Sequence, residues 1–421
     1  MLQPSTDSRQ PIAVLFLSLC LILLAGCHKE KPGAPLGSIF AQLKKPEVWK
    51  VPNMSQAQLI GLKPGDVILT YDEEVITTIA DLYRAESLVK GKTGNVQITI
   101  FRNGKELTVE AKPEFLGFAP IAWAYSGSLA KALEDIMNHF AQPGYYDWLN
   151  ALTGEAFSCA IREGDWSSWG VDSRRDDNFE EIARLTGLSF TLFWRADSST
   201  PSPIPLIIEA LNNKRVLLVR GGWSYPNQHH WGIITRYEPA DSTVYGYTIE
   251  NGEEQPLSGQ VLSLYEVKCQ KKFSPDPTDF LITVLDQALE LGLASSDTGW
   301  HSGLEAYDIL VKDLSRLPIT SEGTELATQF FYRLIWRLIA QKESAIRFFE
   351  DMKNAFPEKA ALFDEVVGRQ RAILGRLEGC AATHLPLNSK ENQEKLTRVL
   401  IEIQELENDL LGIYEEIIGE M

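Results

Sequence analysis

Gly61-Leu62-Lys63-Pro64-Gly65-Asp66-Val67-Ile68-Leu69 is the stretch that decides how the N-terminal part of the chain folds. Pro64-Gly65 marks a tight turn, because proline presets one backbone angle and glycine accepts a positive one. The turn feeds the apolar run Val67-Ile68-Leu69, which predicts a strand. Outward from it, a helix is predicted over 78–90 and a strand over 96–101. Arg102-Asn103-Gly104-Lys105 follows, and Asn-Gly favours the backbone of a two-residue hairpin. The next segment, Glu106-Leu107-Thr108-Val109-Glu110-Ala111, alternates with period two and predicts the partner strand. Together they bound a small β-rich domain over 37–115.

Three pieces of this domain, 61–69, Asp81-Leu82 and 102–105, give it a pattern that resembles a PDZ domain of the bacterial, periplasmic-protease type. The resemblance implies a module that takes a peptide C-terminus as an added strand, its carboxylate held by backbone amides of a loop. The loop that this places here is Leu36-Gly37-Ser38-Ile39, followed by a strand near Phe40-Ala41-Gln42. Peptide C-termini or other envelope proteins are the partners it implies.

Upstream, residues 11–24 are apolar apart from Ser18, and Arg9 precedes them. The run is shorter than the ~20 apolar residues of a membrane span and fits a secretory leader. Leu24-Ala25-Gly26-Cys27 closes it and resembles the lipobox of a bacterial lipoprotein. That resemblance implies a signal peptide over 1–26, cleavage before Cys27 and lipidation of its sulfur. A tether over 27–36 would then join a lipid anchor to the first domain. By resemblance to Gram-negative lipoprotein sorting, in which an aspartate after the lipidated cysteine signals inner-membrane retention, His28 implies the periplasmic face of the outer membrane.

At 421 residues the chain has room for two to three domains after the leader. A 44% hydrophobic content with ten tryptophans points to folded cores. The net charge of −17 argues against nucleic acid and against electrostatic attraction to anionic lipid. Cys159, Cys269 and Cys380 remain once Cys20 leaves with the leader and Cys27 is lipidated. One disulfide among the three is open, since no spacing demands it. No Cys-x-x-Cys pair or His-Glu-x-x-His helix occurs, so neither a structural zinc nor another cofactor is expected.

The segment 120–272 is aromatic-rich, holding Trp148, Trp166, Trp169, Trp194, Trp223 and Trp231. A helix is predicted over 146–160 and strands over 189–193, 216–220, 231–237 and 244–249, an α+β arrangement. Beyond it, 284–293, 303–314, 324–355, 359–377 and 389–419 carry apolar residues at helical spacing. They predict an all-α bundle over 276–421. The chain is thus expected to be a multidomain α+β protein.

His229-His230-Trp231-Gly232-Ile233-Ile234 sets a histidine at the mouth of a strand, and the next strand ends in Glu250-Asn251. Leu152-Thr153-Gly154-Glu155-Ala156-Phe157-Ser158-Cys159 lies upstream. Helix, then histidine, then Asn or Asp resembles the papain-like fold, and more narrowly the peptidase C39-like domains near the butirosin-biosynthesis acyltransferase. The resemblance implies Cys159, His230 and Asn251 as nucleophile, base and orienting group of a thiol peptidase or acyltransferase. Aligned through Gly154 and Ala156, however, the nucleophile position falls on Thr153, and Cys159 lies further into the same helix. The glutamine that would supply the oxyanion donor is replaced by Asp147 or Thr153. The reading favoured here is therefore a degenerate peptidase-like domain that binds a peptide or small ligand in a Trp-lined cleft. Glu155 and Trp231 are its candidate ligand contacts, Glu155 alternatively stabilising its own helix. An active thiol enzyme and a non-enzymatic envelope scaffold are the alternatives. His229 and His230 face opposite sides of their strand, which disfavours a paired metal site.

Overall fold

The structure is a computed structural model that describes residues 33–53, 55–164, 179–197, 202–224, 228–249, 252–294, 300–319, 321–383 and 386–421. Leu36–Ile39 is followed by a 3-10 turn at Phe40–Lys44, where a strand was expected. The first unit holds β1 (Val48–Lys50), α1 (Gln56–Leu59), β2 (Val67–Tyr71), β3 (Glu74–Val75), α2 (Ile79–Val89), β4 (Val96–Arg102), β5 (Lys105–Ala111) and β6 (Ala119–Pro120). Strands β3-β2-β4-β5 form an antiparallel sheet. The β4–β5 hairpin turns at Asn103 and Gly104, whose φ angles are 51° and 79°, the backbone that Asn-Gly favours.

Asp66 explains why the Gly61–Leu69 stretch holds its shape. Its buried carboxylate accepts from Lys63 N across the turn, at 2.7 Å. It also accepts two bonds from Arg102, at 2.6 and 2.5 Å, a bidentate geometry that ties the turn to the end of β4. Helix α2 starts with a capping box in which Thr78 Oγ1 accepts from Asp81 N and Asp81 accepts from Thr78 N. Its buried face, Leu82, Ala85 and Val89, closes over Ile68, Ile98 and Ile100 of the sheet.

The second unit comprises α3 (Ser128–His139), α4 (Tyr146–Leu152), β7 (Ala160–Arg162), α5 (Phe179–Thr186), β8 (Leu188–Arg195), α6 (Ile204–Asn212), β9 (Val216–Gly221), β10 (Trp231–Glu238), β11 (Thr243–Thr248), β12 (Gln255–Pro256) and β13 (Val261–Cys269). Six strands pair antiparallel in the order β12-β11-β10-β9-β13-β8. Period-two alternation gives this sheet two buried faces. Val216, Leu218, Trp231 and Ile233 face a large core that includes Leu129 and Leu133 of α3. Leu217, Val219 and Ile234 face Ile207 and Ala210 of α6.

The third part is helical: α7 (Pro277–Leu293), α8 (Gly303–Arg316) after the short β14 (Trp300–Ser302), α9 (Ser321–Ala355), α10 (Ala360–Thr383) and α11 (Lys390–Glu420). The protein is a multidomain α+β chain with a C-terminal helical region. The helices do not stand apart from the second unit. Strand β14 pairs with β7, and Trp148 of α4 packs on Phe280 and Phe348 with ring centroids 5.0 and 6.1 Å apart.

The helix expected over 146–160 stops at Leu152. Gly154, at φ +75°, ends it in a left-handed turn, its N–H bonding Ala151 O. A Cβ at Gly154 would also lie 2.5 Å from Leu291 Cδ1 of α7, so glycine serves both the turn and the close approach. Cys159 consequently sits in a loop before β7 and not in a helix.

Candidate functional site

The helix terminus that meets the histidine strand belongs to α3, not α4. Trp231, the first residue of β10, donates its N–H to Ser128 Oγ at 3.0 Å. Thr248, the last residue of β11, donates its hydroxyl to Trp231 O at 2.8 Å. His230 is held just ahead of β10 because its carbonyl accepts from Gly221 N and from the Trp223 indole. Helix start, histidine and second-strand end therefore converge, but the small residues at the helix start are Ser126, Gly127 and Ser128. The sequence reading passed over them. A signal was available: Ser-Gly-Ser directly precedes the helical spacing of Leu129, Leu133 and Ile136.

Glu155 occupies this helix terminus from inside. Its fully buried carboxylate accepts from Leu129 N at 3.2 Å, Ala130 N at 2.9 Å and the Thr153 hydroxyl at 3.1 Å. The first N–H groups of a helix lack internal partners and carry partial positive charge, which suits a carboxylate. Glu155 thus stabilises α3 rather than its own helix, and it does not present a charge to a ligand. Gly127 leaves room for it: a Cβ there would lie 2.2 Å from Asn150 Oδ1 and 2.5 Å from Glu155 Oε2. Around them, Gly127 N donates to the Tyr146 hydroxyl, and Asn150 Nδ2 donates to Ser126 Oγ and Ser344 Oγ.

Cys159 lies elsewhere. It is 4% exposed, and burial pushes its thiol up to about 12, with the nearby Glu407 acting in the same direction. It lines a void of about 20 Å3 with Tyr307 and Glu407, between the loop and the helical region, and not the space that His230 borders. Cys159, Cys269 and Cys380 are all free thiols. Trp231 is fully buried, its ring packed on Phe179 and Tyr265 at 5.4 and 6.0 Å, so it is a core residue and not a ligand contact. His229 is exposed and His230 buried. Asn251 and Cys27 lie outside the described residues.

The loop Leu36–Ile39 does not offer open amides to a peptide carboxylate. Gly37 N and Ile39 N donate to the two oxygens of Asp135 on α3, at 2.7 and 2.8 Å. The turn after it buries Phe40 against Tyr247 of the second unit, ring centroids 6.1 Å apart. The edge of β1 is also taken. Strand β6 pairs with it antiparallel, Val48 opposite Pro120 and Lys50 opposite Ala119. Leu116 and Phe118, just before β6, are buried in the core beneath α2. Leu116 N donates to Glu86 of α2 at 2.9 Å. The strand that the PDZ resemblance implied near Phe40–Gln42 is absent, and a peptide added instead beside β1 would have to displace this segment of the same chain.

The segment continues into a cavity of about 310 Å3 where all three parts meet. The first unit contributes Tyr83 and Phe115, the connecting segment Trp123, Tyr125 and Ser126, the second unit His230 and Ile249, and α9 contributes Arg333, Trp336 and Arg337. In its aromatic wall Trp336 packs on Trp123, ring centroids 6.3 Å apart, and outside the lining it also packs on Trp49, at 5.8 Å. Among the described residues no group of His, Cys, Asp or Glu is arranged to hold a metal ion, and no helix is long and apolar enough to cross a membrane. No protein-family model matches the chain, and no curated protein matches it in sequence.

Proposed function

We propose that this chain is a lipid-anchored cell-envelope protein that binds a small ligand or short peptide segment in the three-walled cavity. In this reading a PDZ-like module is joined to a papain-related, C39-like frame that no longer performs acyl transfer. The observation that carries the proposal is the cavity beside His230, aromatic-walled and lacking a thiol. Its volume is at the low end of the ~300–1,000 Å3 of small-molecule sites. The amides of α3 that would favour a thiolate or bind an oxyanion are already bonded to Glu155. The thiol alternative has less support, because Cys159 is buried away from His230.

The test uses the mature chain with Cys27→Ser in place of the lipidated residue. Short peptides and aromatic metabolites are titrated while tryptophan fluorescence is followed. Saturable binding that is lost in Trp336→Ala and His230→Ala variants is expected. Binding that ignores both substitutions would overturn the assignment of the cavity. Alkylation of Cys159 with an apparent pKa below the ~8.5 of a free thiol, slowed by His230→Ala, would restore the thiol-enzyme reading.

A further inference from the structure

The first unit is tied to the rest of the chain at both of its ends and at β1. Its core, built around Ile68, Leu82 and Ile98, is separate from the large core that the second unit and the helices share. The chain enters it through Gly37 and Ile39, bonded to Asp135 of α3, and leaves it through Ser128, bonded to Trp231. Both ends are therefore fixed to the second unit. The link made by β1 runs to the helices instead. Val48 packs in the first unit's own core, whereas Trp49 packs on Trp336 of α9, ring centroids 5.8 Å apart. Lys50 Nζ then meets two carboxylates, Glu343 of α9 at 2.5 Å and Glu378 of α10.

This charge cluster can open without stranding any of its members. The Glu378 side chain is 45% exposed and that of Lys50 20%, so water takes over both when they part. Glu343 keeps a second cation: its Oε2 lies 3.8 Å from Arg347, whose guanidinium also donates to both oxygens of Asp147 on α4. A carboxylate left without a partner in the interior would oppose release, and neither is left so here. Ion pairs this accessible to solvent are weakened by salt, while an apolar contact such as Trp49 on Trp336 is not. We infer that Lys50 is an ionic latch: it holds the first unit against α9 and α10, and raised ionic strength releases that unit, still folded, to turn about its two ends on the second unit. Pro120, Trp123 and Ser126, in the segment that joins this unit to α3, line the cavity, so release reshapes it from that side. The latch acts whether or not a ligand fills the cavity.

Double electron–electron resonance tests it, with spin labels on Thr108→Cys of β5 and Ala361→Cys of α10, both exposed positions. The full chain is used with Cys20, Cys27 and Cys269 replaced by serine, since Cys159 and Cys380 are buried. At about 0.01 M sodium chloride the narrow docked distance should dominate. At about 1 M, where the screening length falls from ~30 to ~3 Å, a broad second population should grow by about threefold or more. Lys50→Met, which keeps an apolar stem of similar length, should show the larger population already at low salt and no further growth with salt. Glu343→Gln combined with Glu378→Gln should behave likewise. Hydrogen exchange of β2 and β4 should stay the same at both salt concentrations. A distance distribution that ignores salt, or a Lys50→Met chain that follows salt as its parent does, would overturn the latch. Loss of protection in β2 and β4 alongside the new distances would also overturn it, because the unit would then be unfolding and not turning. The salt series on the chain that retains Lys50 decides the matter even if the substituted chains do not fold.

Discussion

Replacing Glu86 by glutamine should stabilise the first unit at pH 8 and leave it unchanged at pH 4. Glu86 projects from α2 into the core, 7% exposed, with its Oε1 accepting Leu116 N at 2.9 Å. Burial pushes its carboxyl from an ordinary 4.5 up to about 7, and the Leu116 hydrogen bond only partly opposes this. The sign follows from linkage. Below pH 4.5 the group is protonated in both the folded and the unfolded chain, and the fold bears no penalty. Between 4.5 and about 7 the unfolded chain ionises first, and stability falls as pH rises. Above about 7 the full penalty stands, about 3 kcal/mol at ~1.36 kcal/mol per pH unit. Glutamine keeps a carbonyl oxygen for Leu116 N but cannot ionise. Hydrogen exchange of the full chain reads this directly, comparing parent and Glu86→Gln at the same pH so that intrinsic rates cancel. Peptides covering β2 and β4 should exchange about a hundredfold more slowly in the variant at pH 8, and equally at pH 4. Equal protection at pH 8 would refute the burial argument. Equal gains at both pH values would show that packing, not titration, is responsible.

Glu155→Gln should lower the stability of the second unit by roughly 1–3 kcal/mol in urea unfolding, because its amide oxygen can keep only one of the bonds from Leu129 N and Ala130 N and its amide nitrogen cannot accept the other; a loss under about 0.5 kcal/mol would remove Glu155 from that role. Cys159 should resist iodoacetamide at pH 8.5 in the folded chain and react once the chain is unfolded, since burial holds its thiol near 12; prompt labelling in the fold would contradict its position. Ser128→Cys should yield a thiol that ionises no more readily than a free one, near pH 8.5, by thiolate absorbance, because Glu155 already satisfies the α3 terminus. Adding Glu155→Gln should bring that pKa down, and an already depressed value in the single variant would show that the terminus is not neutralised.

What could be read in the sequence was set by short-range chemistry. The β4–β5 hairpin was legible because Asn103 and Gly104 determine their own backbone, and Ile98 and Ile100 alternate on one face regardless of what lies elsewhere. The C-terminal helices were legible from apolar spacing alone. The region before α4 was not. Phe40 reads as part of a strand until Asp135, far along the chain, takes the N–H groups of Gly37 and Ile39 and winds the segment into a 3-10 turn. Gly154 fits a motif glycine at the start of a helix, yet its positive φ and the nearness of Leu291 make it a helix end. That single change moved the candidate helix terminus from the neighbourhood of Thr153 to Ser128.

Once the terminus is α3, the question of chemistry turns on what its amides already do. A nucleophile at a helix start is activated because unpaired N–H groups and partial positive charge favour its anion. Here Leu129 N and Ala130 N are bonded to Glu155, and Ser128 Oγ is engaged by Trp231 N. A helix start can therefore meet a histidine strand without offering open amides to a nucleophile, which is why fold alone does not settle activity. What stays open beside the histidine is space, and the segment from Leu116 to Ser128 frames it. Leu116 and Phe118 anchor that segment in the first unit, Trp123 and Tyr125 turn to the cavity, and Ser128 begins α3. Wall, strap and helix start are one stretch of chain. Any shift of the first unit relative to α3 must consequently reshape the cavity, and filling the cavity must in turn hold the first unit in place.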